Sequence, residues 1–202
     1  NAMEIAQKRW DSIAKPLHSL GKLETLLIQI AGITGNAEVD LSRRGLIAMC
    51  ADNGVVEEGV TQTGQEVTAI VAENFLKYDT SVGVMCKQNH AEIFPVDMGM
   101  VTDTKVRTDH KIAYGTQNMT KGPAMTREQA VKGLEAGIDM VRELNDKGYR
   151  ILATGEMGIG NTTTSSAVAS VLLKQPVEEM TGRGAGLTSE GLVCKINAIK
   201  KA

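Results

Sequence analysis

The chain has 202 residues and a net charge of −2, enough length for a full hydrophobic core and no basic excess to draw it to nucleic acid or an acidic membrane surface. Aromatic residues make up only 3% of it, too few for single-strand recognition by base stacking. Cys50, Cys86 and Cys194 stand far apart in apolar runs, which reads as buried free thiols in a reducing cytoplasm rather than a disulfide framework or a zinc site.

No apolar run approaches the roughly twenty residues of a membrane-spanning helix, and the N-terminus lacks the apolar stretch of a signal peptide. Asn1 and Ala2, ahead of Met3, read as a cloning remnant. From residue 3 to 31 the periodicity is helical, broken at Pro16, with Leu20, Leu23, Leu27 and Ile30 on one face as a packing stripe. A small helical segment is therefore expected over 3–35, ahead of an α/β unit over 36–202. His18 stands alone and reads as a structural or surface histidine. Arg44–Ala51 shows no polar alternation, the pattern of a parallel strand covered on both faces. It ends in Asp52-Asn53-Gly54, a turn at the carboxyl edge where open α/β sheets bind ligands. Asp52 fits a turn cap there as well as it fits a ligand.

A polar, glycine-punctuated loop over 58–66 leads to a helix over 67–77, and a second helix is expected over 81–89. Residues 91–97 read as a strand, kept short or at an edge by Pro95. Periodicity is lost over 101–120, which reads as loop. Thr126 and Gln129 form a capping box for a helix carrying Val131, Leu134, Ile138, Val141 and Leu144 at helical spacing, with Gly148 as its stop. That helix feeds a right-handed crossover into Ile151-Leu-Ala153, expected as a buried strand, so that about four core strands are countable.

Gly155, Gly158 and Gly160 follow, then a polar row from Asn161 to Ser166 and an apolar run over 167–173 that continues as helix. Strand, glycine loop and helix N-terminus together make an anion site, because glycine lets the backbone approach and the first turn presents N–H groups and a positive dipole end. Asn161 and the threonines are N-cap residue types whose side chains could add donors. The spacing is not G-x-G-x-x-G and no Walker lysine is present, so a monoester phosphate fits better than a dinucleotide or a nucleoside triphosphate. The competing reading is a capped helix after a tight turn. Glu156 would repel an anion unless it has separate work. A second glycine-rich loop over 178–187 places Arg183, a natural phosphate or carboxylate partner, among Gly182, Gly184 and Gly186; the alternative is a flexible linker. Ser189 then caps a last helix with Leu192, Ile196 and Ile199 on one side.

Gly155-Glu-Met-Gly-Ile-Gly-Asn-Thr-Thr163 resembles the signature of the nicotinate-nucleotide:dimethylbenzimidazole phosphoribosyltransferases. Leu17-His-Ser-Leu-Gly-Lys-Leu-Glu24, Asp97-Met-Gly99 and Gly182-Arg-Gly-Ala-Gly-Leu187 agree with that family, and the resemblance runs over residues 3–202. It implies a three-layer, open, mostly parallel Rossmann-like α/β sheet behind the helical segment. It also implies transfer of 5-phosphoribose from nicotinate mononucleotide to 5,6-dimethylbenzimidazole or a related base, giving nicotinate and the α-ribazole phosphate of the cobamide lower ligand. On this resemblance Gly158, Gly160, Asn161, Thr162 and Thr163 hold the phosphate, with Arg183 and Gly184 at its border. Asp52, Asn53, Thr63, Val71, Met157 and Ile159 surround the aromatic base. Glu156 supports the reaction, and the main general base is expected beyond residue 202, the chain reading as the C-terminally truncated front part of a family member. Asn53 stands where the family usually has histidine, Thr63 where serine is frequent, Val71 where some members have glutamine, and Gln117 where arginine is typical, so the acceptor base stays open. The expected setting is a cytoplasmic homodimer that uses nicotinate mononucleotide and an aromatic base, without metal, cofactor, nucleic acid or membrane. The alternative is a non-catalytic mononucleotide-binding fragment or divergent relative.

Overall fold

The apolar run Arg44–Ala51 forms strand β1, and it takes the centre of the sheet. The computed structural model describes residues 1–202, which divide into the units Asn1–Arg43 and Arg44–Ala202. In the first unit, α1 (Ala2–Ser12) starts at a capping box between Asn1 and Glu4, and α2 (Lys22–Thr34) ends at Gly35 in the left-handed conformation. The two helices meet through small residues. Ala31 is fully buried, and a Cβ at Gly32 would lie 2.7 Å from the Met3 sulfur. The expected leucine stripe is consequently not the buried face: Leu20 and Leu23 are 46% and 52% exposed. Glu24 is buried instead, paired with Lys15 at 2.9 Å and accepting the Leu20 N–H.

The second unit is α/β. Strands β2 (Ala91–Gly99) and β3 (Ile151–Met157) flank β1 in the order β2-β1-β3, all parallel. Successive β1 side chains point to opposite faces, and each face has its own core. Ala48 and Cys50 pack with Ala69, Ala72 and Phe75 of α3 (Glu66–Lys77). Ile47 packs with Met140 and Leu144 of α5 (Arg127–Asp146), beside Val96 and an edge-to-face Phe94–Tyr149 pair. Between α3 and β2 runs α4 (Ser81–Gln88), capped by Thr80. After the sheet come α6 (Asn161–Leu173), the short α7 (Val177–Met180) and α8 (Ser189–Lys201).

Several expectations change. Three strands form rather than four, and β2 is the edge that Pro95 suggested, extended only by a parallel bridge from Val96 to Arg107. Strand β3 is longer than expected but not buried, because it takes the outer position beside β1: Ile151 is 42% exposed. The capping box at Thr126 and the stop at Gly148 are both present. The face of α5 differs in part: Leu144 of the expected row is buried and packs with Met140 against Ile47 and Val96, and Ala136 is buried too, while Val131, Leu134, Ile138 and Val141 remain exposed. A helix with apolar residues on more than one side can dock by either. Gly160 and Thr188, rather than Asn161 or Ser189, are the N-caps of α6 and α8. Cys50 and Cys86 are buried, but Cys194 is exposed, lying on α8 with its thiol donating to the Glu58 carbonyl.

The α5 assignment is checked by paired truncations. Leu144→Ala should lower unfolding free energy by about 2–5 kcal/mol, as for a filled core site, whereas Leu134→Ala should stay within about 0.5 kcal/mol. Urea denaturation of both variants measures this; equal losses would mean that α5 docks by another face.

Candidate functional site

Three turns meet at the carboxyl edge of the sheet. After β1 the chain passes through Asp52 and Asn53 into a 3₁₀ turn, Gly54–Glu58. Asp52 is fully buried and ties the neighbouring turns together. Its N–H donates to the Gly99 carbonyl, its carbonyl accepts from the Thr116 N–H, and its Oδ2 accepts from the Val101 N–H at 2.8 Å. The other carboxylate oxygen, Oδ1, has no partner. After β2, Asp97 accepts from the Gly99 and Met100 N–H groups and pairs with Lys111 at 3.1 Å.

After β3 the backbone presses directly on β1. A Cβ at Gly158 would lie 2.1 Å from the Ala51 carbonyl oxygen, so only glycine fits. Gly160 has φ 89° and opens α6. Between them, the Ile159 N–H donates to Thr68 Oγ1 at 3.0 Å and the Ile159 carbonyl accepts from Asn53 Nδ2 at 3.1 Å. Asn53 is itself steadied, its backbone carbonyl accepting from Gln65 Nε2 and its Oδ1 lying 3.3 Å from the Thr164 hydroxyl. The first turn of α6 is partly satisfied already: Asn161 N–H donates to Gly158, Thr163 N–H to Gly160, and Thr162 N–H to Asn161 Oδ1. The Gly160 N–H has no partner within the chain.

This loop borders a cleft of about 130 Å³ whose other walls are the 60–63 segment, the second glycine loop at 183–187, and Lys195 of α8. Lys195 is 1% exposed, and its ammonium donates to Thr162 Oγ1 at 2.7 Å and to the Gly182 carbonyl at 3.1 Å. No carboxylate lines the cleft. Burial pulls the Lys195 pKa below the ordinary lysine value. Gly184, at φ 56°, brings the second loop onto the first: a Cβ there would lie 2.7 Å from Thr162 Oγ1 and 3.4 Å from Lys195 Nζ. Sequence reading passed over Lys195. The signal available was its i, i+3, i+4 spacing with Ala198 and Ile199, both buried on α8.

Of the residues singled out from sequence, Thr63, Ile159, Gly160, Asn161, Thr162, Arg183 and Gly184 line this cleft together. Arg183, though at its wall, spends its guanidinium on its own loop, donating to the Leu187 carbonyl and Ser189 Oγ. Gly158 is buried beneath the loop, and Thr163 is fully buried with an unpartnered hydroxyl. Val71 and Met157 pack against the core on the α3 face, and Asp52 and Asn53 brace the turns. Glu156 is exposed beside the loop, both of its oxygens accepting from Asn161 Nδ2 at 2.7 and 2.8 Å. Gln117 lies in a separate apolar cavity of about 240 Å³ with Ala51, Gly99 and Met125. No cluster of three or more His, Cys, Asp or Glu side chains is arranged to hold a metal ion.

A family model described as phosphoribosyltransferase matches residues 1–202. Among curated proteins, the nicotinate-nucleotide–dimethylbenzimidazole phosphoribosyltransferase of Ruminiclostridium cellulolyticum is 51% identical over 202 residues, a match covering 99% of this chain and 57% of that protein. The protein of the same name from Clostridium tetani is 47% identical over 204 residues, covering 98% of this chain and 56% of its own length. Among solved structures, CobT from Thermus thermophilus superposes with a TM-score of 0.89 at 36% identity, covering all of this chain and 61% of that one. The chain thus spans somewhat more than half the length of these relatives. With a family match over its whole length and the same fold as a solved relative, this chain belongs to the phosphoribosyltransferase family typified by these proteins.

Proposed function

We propose that this chain is the mononucleotide-holding part of a nicotinate-nucleotide:dimethylbenzimidazole phosphoribosyltransferase, the activity for which its relatives are named. The observation that carries the reading is Lys195. An ammonium buried without a carboxylate is costly, and this one faces a cleft bordered by two glycine loops and a helix N-terminus. A phosphate supplies the missing charge. In this reading the 5′-phosphate of nicotinate mononucleotide lies against Lys195, Thr162, Gly160 and Gly184, and the ribose extends past Ile159 and Thr63 toward the acceptor.

The chemistry then asks little of an acid. The C1′–N bond of the donor breaks with its electron pair returning to the pyridinium, which leaves as the neutral ring of nicotinate. A nitrogen of the acceptor base forms the new C1′–N bond from the opposite face, inverting the anomeric carbon from β to α. The acceptor's ring proton passes to a carboxylate. Holding both rings about one carbon supplies most of the acceleration, and the proton acceptor adds about 10²–10⁴. Because no carboxylate lines the cleft and Glu156 is engaged by Asn161, we give Glu156 a supporting electrostatic role. The main proton acceptor is assigned to the share of the family fold outside these 202 residues. The reading carries with it a cytoplasmic homodimer, and the free thiols Cys50, Cys86 and Cys194 fit a reducing compartment.

Nicotinate mononucleotide should bind, and the nucleoside lacking phosphate should bind more weakly by about 1.5–3 kcal/mol for each charge-assisted bond lost. Calorimetry showing equal affinities would remove the cleft from the site. The pH dependence has a definite sign. Only the protonated amine attracts phosphate, and burial lowers the Lys195 pKa. Affinity should therefore fall as pH rises through a point below the ordinary lysine range, and Lys195→Met should remove both the affinity and that alkaline fall. Above the second phosphate ionisation, at about pH 6, where the ligand charge no longer changes, binding that strengthens with rising pH would contradict the assignment.

Turnover is a separate matter. Assayed beside a full-length relative, the 202-residue chain should transfer phosphoribose about 10²–10⁴-fold more slowly, the usual cost of a missing general base. Comparable rates in a product assay would show that a carboxylate within this chain suffices.

A further inference from the structure

The loop that borders the cleft is Gly158-Ile159-Gly160, and a glycine on each side lets the intervening peptide planes rotate at little cost. Either of two faces could then meet a ligand. One presents the Gly160 N–H, a donor, and the other presents the Ile159 carbonyl, an acceptor that repels an anion. In a trans peptide the N–H points opposite to the preceding C=O, so whatever holds the Ile159 carbonyl also aims the Gly160 N–H. Asn53 Nδ2 holds that carbonyl at 3.1 Å, on the side of the β1 turn. The Gly160 N–H is left without an intramolecular partner, on a residue that lines the cleft.

The preceding peptide is fixed from the opposite end. Its N–H, that of Ile159, donates to Thr68 Oγ1 at 3.0 Å, and its carbonyl, that of Gly158, accepts from the Asn161 N–H at 2.9 Å. Thr68 is fully buried on α3 and has no exposure to any ligand. Asn53 cannot swing freely, because its own carbonyl accepts from Gln65 Nε2 and its Oδ1 lies against Thr164.

We infer that Asn53 and Thr68 are positioning residues that set the peptide dipoles of the glycine loop, so that the cleft presents a donor and takes an anion. Neither residue touches the ligand. The inference rests on the mononucleotide reading for the identity of the ligand, but the clamp itself concerns any phosphate in the cleft.

The test uses ¹⁵N NMR of the whole chain with two probes, inorganic phosphate and nicotinate mononucleotide. In the wild type, phosphate should shift the Gly160 amide resonance. In Asn53→Ala that shift should vanish and phosphate affinity should fall about tenfold or more, the weight of one good charge-assisted bond. Thr68→Val, nearly isosteric but unable to accept, should behave likewise, and it should raise hydrogen exchange at the Ile159 amide. Thr68→Ser, which restores the acceptor, should match the wild type in both measurements. The threonine pair keeps the test available if Asn53→Ala fails to fold. A merely structural role would lower melting temperature without separating valine from serine at the Gly160 resonance. Wild-type affinity in both Asn53→Ala and Thr68→Val, or a Gly160 amide indifferent to phosphate in the wild type, would overturn the inference. Binding of phosphate but not of nicotinate mononucleotide, with the valine and serine difference intact, would support the clamp and overturn the phosphoribosyl reading.

Discussion

A methyl group at position 158 would fall 2.1 Å from the carbonyl oxygen of Ala51, and the arrangement of the carboxyl edge depends on its absence. With glycine there, the turn after β3 lies flat on the end of β1, within reach of Asn53 and Thr68. Two further close approaches repeat the device. A Cβ at Gly54 would lie 2.5 Å from the Thr116 carbonyl, and one at Gly184 would lie 2.7 Å from Thr162 Oγ1. The turns and loops of the edge are thus drawn together by missing side chains and then fixed by polar ones. Asp52 joins the β1 and β2 ends, Asn53 joins β1 to the glycine loop, and Lys195 joins α8 to α6.

Buried charge separates structural from functional positions. Asp97 and Glu24 are both buried, but each has a lysine, Lys111 and Lys15, within salt-bridge distance and backbone N–H groups to accept from. Such pairs are weak evidence of anything beyond local architecture. Lys195 is the opposite case, an ammonium equally buried that meets only a hydroxyl and a carbonyl. Cys50 shows what burial does to an acid, its thiol pushed up to about 12 by the apolar core and by nearby Asp97, so it stays protonated and inert.

What was legible in the sequence was what local patterns encode. The run Arg44–Ala51 has no other way to satisfy both its backbone and its side chains than as a central strand, and it is one. The Thr126 capping box and the Gly148 stop are contacts within a few residues, and both formed. The glycine spacing located the turn at the sheet edge, though not which of its members face the cleft. Gly158 lies buried against Ala51 of β1, Thr163 is fully buried, and the Asn161 side chain, though its residue borders the cleft, is engaged by Glu156 and the Thr162 N–H, none of which spacing reports. Lys195 and Thr68 are hard to single out for a related reason: apart from the helical spacing of Lys195 with Ala198 and Ile199, each reads as an ordinary helical position until α8 and α3 are laid beside the loop.

The α5 helix shows how a correct pattern can point to the wrong face. Val131, Leu134, Ile138, Val141 and Leu144 repeat at helical spacing, yet only Leu144 is buried; the other four are at least 42% exposed, while Ala136 and Met140 are buried in their place. On α6, Val171 and Leu172 are 76% and 74% exposed, and β3 between these helices is an open edge with Ile151 on its surface. Apolar surface of this extent is uncommon on a lone soluble domain, and an unpaired strand edge invites further pairing. Hydrophobic periodicity therefore records a demand for burial, not the partner that meets it. In α3 and β1 supply and demand lie within the same 202 residues, so pattern and packing agree. In α5 and α6 the pattern calls for more burial than these residues provide, and there a sequence reading that assigns every apolar face to the local core must go astray.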